Sequence, residues 1–204
     1  MVFVGLTGGI ASGKSAVSRM LSECGAQIID ADALAHRAIE PDRHSFNQIV
    51  DAFGAEVLNP DRTIDRTRLG RVIFHDPEKR AWLNAIVHPA VFADAERRRQ
   101  EICQQDPKAV VIFDAALLIE TGAHELMDKV ILVTANRRTQ LKRLMARDGL
   151  SREEALARID AQLPVGRKKR CADYVIDGTR DPDAIRAAVG KIYVELQQIA
   201  AAPY

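Results

Sequence analysis

Gly8-Gly9-Ile10-Ala11-Ser12-Gly13-Lys14-Ser15 follows, after Thr7, on a short apolar run over residues 2–6. The eight residues fit the GxxxxGK[ST] pattern in full, and they stand where that pattern works, between a strand and a helix. Glycines let the backbone curl so that several N–H groups point into one concavity, and the helix behind adds about half a positive charge. The loop is therefore read as a cradle for nucleotide phosphates, built by Gly8, Ala11, Ser12, Gly13, Lys14, Ser15 and Ala16. Lys14 is expected to reach the β and γ phosphates. The Ser15 hydroxyl is expected to hold a magnesium ion bridging them, because a hard cation prefers oxygen ligands. Ala16 stands where many such loops carry Thr and supplies a backbone N–H. The alternative, a chance glycine-rich turn, does not account for the flanking strand and helix.

Outward from the loop, Val17, Met20 and Leu21 recur at helical spacing, and Gly25 sits at a helix stop. Residues 27–30, 109–113, 129–133 and 175–177 read as further strands, alternating with mixed segments. The pattern predicts an α/β fold: a three-layer parallel sheet of the P-loop nucleotide-kinase type, with a helical substrate insert and a helical lid. The chain is expected to form a single domain. Its core would comprise about 1–32, 107–136 and 171–204, its acceptor insert 33–106 and its lid 137–170. Within the lid a helix is expected over 137–146. Ser151 with Glu154 three residues on forms a capping-box signature for a second helix running to 164. A terminal helix is expected over 181–201.

Composition narrows the partners. The 204 residues are 47% apolar with a formal charge of +1, which gives no global field for nucleic acid or an anionic membrane. Neither is expected as a partner. The three cysteines lack CxxC spacing, which fits a reducing compartment, and the 2–6 run is too short for a signal peptide or membrane span. A cytoplasmic location is expected. No HExxH spacing occurs among the five histidines, so no transition-metal site is proposed. Arg97-Arg98-Arg99 and Arg167-Lys168-Lys169-Arg170 read as solvated faces, since their surroundings are acidic and aromatic interleaving is missing; the alternative for the second run, which abuts the lid, is a hold on the phosphates of a bound nucleotide or cofactor.

None of the four asparagines begins an NKxD sequence, so a GTP switch is disfavoured. An Asp after the second strand and an Arg-rich lid suit a small-molecule kinase, which must orient a hydroxyl and exclude water. The blocks GLTGGIASGKS, IIDADALA, RTIDRTRLGRVIF, LNAIVHP, DAALLIETG, QLKRLMARDGLSREEALARIDAQ and ADYVID occur in that order. Together they resemble the bacterial dephospho-CoA kinases. The resemblance runs from Val4 to about Asp177 and implies a core, a helical CoA-binding subdomain and a lid. It also implies transfer of the ATP γ-phosphate to the ribose 3'-hydroxyl of dephospho-CoA, the last step of coenzyme A synthesis, with ATP and Mg2+ required. Ala116 stands where the family usually has Pro, Arg167-Lys168 where it has Glu-Lys, and Gly178 closes its IDN triplet.

Two roles fit Asp32: a carboxylate that orients the acceptor hydroxyl, which the family position supports, and an N-cap for the helix near Ala33. Asp30 is magnesium-linked or structural. Asp114, after an apolar strand, is placed to hold magnesium through water, or to cap a turn; Glu120 belongs to the same region. Arg143 and Arg147 share a helix face and, with Arg158, are candidates for converging on the transferring phosphates. Arg147 is favoured as the catalytic one because its RDGLS block resembles the family lid. Asp65, Arg66 and His88 resemble family positions lining the acceptor side. By its own chemistry, His88 reads as a structural turn residue beside Pro89.

Overall fold

The computed structural model describes residues 1–74 and 76–202. Strands β1 (Val2–Gly8), β2 (Gln27–Asp30), β3 (Val110–Asp114), β4 (Lys129–Thr134) and β5 (Tyr174–Asp177) form one sheet of order β2-β3-β1-β4-β5. β1 runs parallel to both β3 and β4, and β4 parallel to β5. The central strands are buried on both faces, which is why they read as unbroken apolar runs.

Helices α1 (Lys14–Glu23) and α9 (Pro182–Ala201) cover one face. Val17, Met20 and Leu21 of α1 and Ile185, Val189 and Leu196 of α9 pack with Val4, Leu6, Ile112 and Ile131 into one core. Leu21 and Leu196 are fully buried, each contributing roughly 1.5–3 kcal/mol by removal from water. On the opposite face Phe3 and Phe113 meet with ring centroids 6.0 Å apart. The Arg99 guanidinium lies 5.8 Å above the Phe3 ring, so one residue of the expected solvated Arg cluster packs on the sheet. Helices α6 (Arg137–Asp148), α7 (Arg152–Asp160) and α8 (Val165–Lys169) precede β5.

The chain divides into two compact units: residues 1–29 with 99–204, and residues 30–98. The smaller contains α2 (Ala31–Ala38), α3 (His44–Phe53), α4 (Arg66–Phe74) and the first part of α5 (Pro77–Gln105). It has its own core of Ile49, Phe53, Val57, Ile64 and Leu69, with Leu83 and Val87 of α5 packed against it.

Two expectations change. Pro89 lies inside α5 rather than in a turn, so His88 is a half-buried helical residue. A 29-residue helix can carry the lost N–H bond because its neighbours hold it on both sides. The helix opened by Ser151 ends at Asp160, and α8 begins separately after Pro164. Proline disfavours helical backbone at the residue before it, which explains the break.

Candidate active site

Five backbone features shape the loop between β1 and α1. Ser12 N–H donates to the Gly9 carbonyl at 3.0 Å, and Ala16 and Val17 N–H groups donate to the Gly13 carbonyl at 3.0 and 3.3 Å. Ala11 and Gly13 take left-handed backbone, with φ +56° and +101°. Gly13 accepts this freely, whereas Ala11 is an L-residue held there.

Lys14 begins α1 and its Nζ contacts Asp114 Oδ1. Both side chains are largely shielded, at 17% and 10% exposure. Asp114 is the last residue of β3 and stands in register with Leu6 of β1. The sheet thus delivers a carboxylate to the end of the loop, where it pairs with the lysine. Ser15 is exposed on the first turn of α1. Ser12 is buried, and its hydroxyl has no hydrogen-bond partner among the described residues.

Asn136 caps α6 by accepting from Thr139 N–H at 2.9 Å, which fixes the rotation of the helix. Gln140 and Arg143 then share a face, three residues apart. Arg143 donates to the carbonyls of Ser12 at 3.3 Å, Ala11 at 3.4 Å and Gly178 at 2.9 Å. Its guanidinium therefore ties the loop to the end of β5. Gly178 permits this approach, since a Cβ there would collide with the Ser12 carbonyl.

Two of the three lid arginines meet on one carboxylate, and Arg143 stands apart from them at the loop. Arg147 donates to Asp148 at 2.6 and 3.0 Å, and Arg158 of α7 reaches the same carboxylate at 3.3 Å. The Arg147 guanidinium, then that of Arg158, holds the Asp148 carboxyl below the usual carboxylate range. Arg137 pairs with Asp160 through both guanidinium nitrogens, so α6 and α7 form a pinned hairpin. Ser151 and Glu154 form the capping box read from the sequence.

The basic run ahead of β5 departs from its solvated reading at one residue. Lys168 is 1% exposed, and its ammonium lies 2.6 Å from Glu120 Oε1. The short helix after Pro164 turns this one lysine inward, an orientation no periodicity signals. Glu120 also accepts from Leu163 N–H at 3.4 Å.

In the smaller unit the cap of α2 is Asp30, which accepts from Ala33 N–H at 3.0 Å. That assigns Asp30 a structural role and removes the capping alternative for Asp32. Asp32 is exposed on the first turn of α2, and its carboxylate accepts no hydrogen bond among the described residues. Asp65 accepts from Thr67 and Arg68 N–H groups at 2.9 and 3.0 Å and pairs with the Arg68 guanidinium at 3.0 Å. It serves as the cap of α4, and Arg66 is exposed beside it. Burial lowers the pKa of His88.

Sequence reasoning missed Gln140 and Gln162, which both bond the backbone of Ile10: Gln140 Nε2 donates to its carbonyl at 2.8 Å, and its N–H donates to Gln162 Oε1 at 2.7 Å. No residue-type signal marks them, because neutral amides belong to no phosphate-binding motif.

The family described as dephospho-CoA kinase matches residues 2–182. A dephospho-CoA kinase of Geobacter sulfurreducens is 46% identical over 195 residues, spanning 96% of this chain and 98% of the relative. The crystal structure of TT1252 from Thermus thermophilus superposes with TM-score 0.79 at 35% identity, covering 96% of this chain and 97% of that one. Dephospho-CoA kinase from Campylobacter jejuni superposes with TM-score 0.72 at 29% identity over the same shares. With a phosphate loop, its paired lysine and carboxylate, and a match running through nearly the whole chain, this protein belongs to the dephospho-CoA kinase family.

Proposed function

We infer that this protein transfers the γ-phosphoryl group of ATP to the ribose 3'-hydroxyl of dephospho-CoA, giving coenzyme A and ADP. The observation that carries the phosphotransfer is the Lys14–Asp114 pair at the loop, in a chain of this family. With ATP in the loop, the β and γ phosphates compete with Asp114 for the Lys14 ammonium. The lysine then spreads its charge over the transferring group, and Asp114 is released to other work.

Magnesium fits the residues present. The Ser15 hydroxyl and the Asp114 carboxylate are hard oxygen donors at one loop, and an ion that keeps waters and phosphate oxygens needs few protein ligands. When bound, it supplies charge neutralisation across the β and γ phosphates.

Asp32 orients the acceptor hydroxyl for in-line attack. Its free carboxylate, with capping left to Asp30, supports that role. A loose transition state asks for orientation more than for strong base assistance. Asp65 works through α4: as cap and partner of Arg68 it positions Arg66 for the acceptor's phosphates, and His88 lines the same side. The α6–α7 hairpin acts as the lid, excluding water as a competing nucleophile. In the closed state Arg147 exchanges Asp148 for phosphate, while Arg143 stays with the loop and contributes to the nucleotide site by holding it. Three free cysteines accord with a cytoplasmic enzyme.

Asp32→Asn tests the orienting role. kcat with dephospho-CoA is expected to fall by about two orders of magnitude or more, while ATP binding stays as in the parent protein. An unchanged kcat would remove Asp32 from the mechanism.

A further inference from the structure

Two glutamines from outside the loop motif grip Ile10, Gln140 through its carbonyl at 2.8 Å and Gln162 through its N–H at 2.7 Å. The first bond fixes the peptide between Ile10 and Ala11, and the second fixes the preceding Gly9–Ile10 peptide, to which the Ile10 N–H belongs. A trans peptide is planar with its C=O and N–H opposed, so binding the Ile10 carbonyl to α6 turns the Ala11 N–H away from α6. That N–H donates to no acceptor among the described residues. Ala11 also sits at φ +56°, which disfavours any residue with a Cβ. A half-turn of this peptide would take Ala11 out of the left-handed region and swing its N–H back toward α6. Locally that flip is downhill for alanine, and the bond from Gln140 opposes it.

We propose that Gln140 and Gln162 are positioning residues for phosphoryl transfer, holding the two peptides on either side of Ile10 so that the Ala11 N–H faces the nucleotide phosphates. This rests on the reading of residues 8–15 as the ATP site. Both side chains line a cavity of about 320 Å³ together with Gly9, Asn136, Arg137 and Lys168. Both glutamines are only half-buried, so truncating either leaves no closed void in the apolar core, and the variants are expected to fold.

The test is calorimetric titration of ATP and, separately, of dephospho-CoA into the full chain, as parent, Gln140→Ala, Gln162→Ala and each combined with Ala11→Gly. Each glutamine variant is expected to raise the ATP Kd about three- to tenfold, the worth of one hydrogen bond, with the dephospho-CoA Kd unchanged. In Gln140→Ala, whose lost bond opposed the flip, Ala11→Gly should recover at least half of that loss, since glycine adopts φ +56° without penalty. Amide exchange in the nucleotide-free protein gives a second readout: Gln162→Ala should strip protection from the Ile10 N–H while β1 keeps its own. Unchanged ATP affinity, equal weakening of both substrates, no recovery of Gln140→Ala by Ala11→Gly, or an Ile10 amide equally protected in Gln162→Ala would each overturn the proposal. A parent protein that does not bind ATP would overturn the reading of the loop itself, and the proposal with it.

Discussion

Replacing Glu120 with Ala isolates the buried ion pair behind the loop. Lys168 is 2% exposed at its side chain, Glu120 20%, and their charged atoms are 2.6 Å apart. At an effective dielectric near 20, the attraction at that separation is about 6 kcal/mol, most of it offset by desolvation of the two charges. Removing the acid leaves an ammonium that the fold still holds away from water, and broken buried pairs cost about 3–5 kcal/mol. Because Glu120 is partly exposed, the lower end applies, about 3 kcal/mol. For a chain of this size that corresponds to a fall in Tm of roughly 6–12 °C, read by scanning calorimetry. The double variant Glu120→Leu with Lys168→Met should recover most of the loss, since apolar groups of similar size often replace a buried pair at no cost. A fall below about 2 °C in Glu120→Ala, or a double variant no better than the single, would refute the reasoning.

Lys14→Ala should lower kcat/KM by about two to three orders of magnitude, the scale of losing one preorganised charge from a transferring group, checked by coupled ADP release. Ser151→Ala removes one half of the α7 capping box and should cost about 1 kcal/mol, seen as a lower Tm. His88 is expected to make stability pH-dependent. Its folded pKa is lowered by burial, so the unfolded chain takes up the proton first. Stability is then full above the unfolded value near 6.5 and declines as pH falls toward the lowered folded value. His88→Gln should flatten that slope in urea titrations across the same window, and an unchanged slope would assign it to another group.

The sheet was legible because its strands are buried on both faces and write themselves as apolar runs, and because the loop motif fixes where the first strand ends and the first helix begins. The capping box at Ser151 was legible for a similar reason: its two hydrogen bonds join residues three apart in sequence. Roles set by distant partners were hidden. Asp30 and Asp32 look alike in Asp30-Ala31-Asp32, and only the start of α2 at Ala31 decides which one caps. Lys168 reads as one charge in a basic run until α8 turns it onto Glu120, forty-eight positions earlier in the chain. Arg143 was legible as a residue of the nucleotide site, but its bonds to the carbonyls of Ser12 and Gly178, on the face set by the Asn136 cap, were not. Gln140 and Gln162 act by hydrogen bonds on the backbone of Ile10, 130 and 152 residues away, so no local pattern marks them.

The most direct test of the assigned reaction is ADP release from ATP and magnesium with dephospho-CoA, run beside AMP, shikimate, gluconate and no acceptor. Turnover with dephospho-CoA alone, and slow ATP hydrolysis without it, is the predicted result. Turnover only with another acceptor, or ATP consumed equally fast with none, would contradict it.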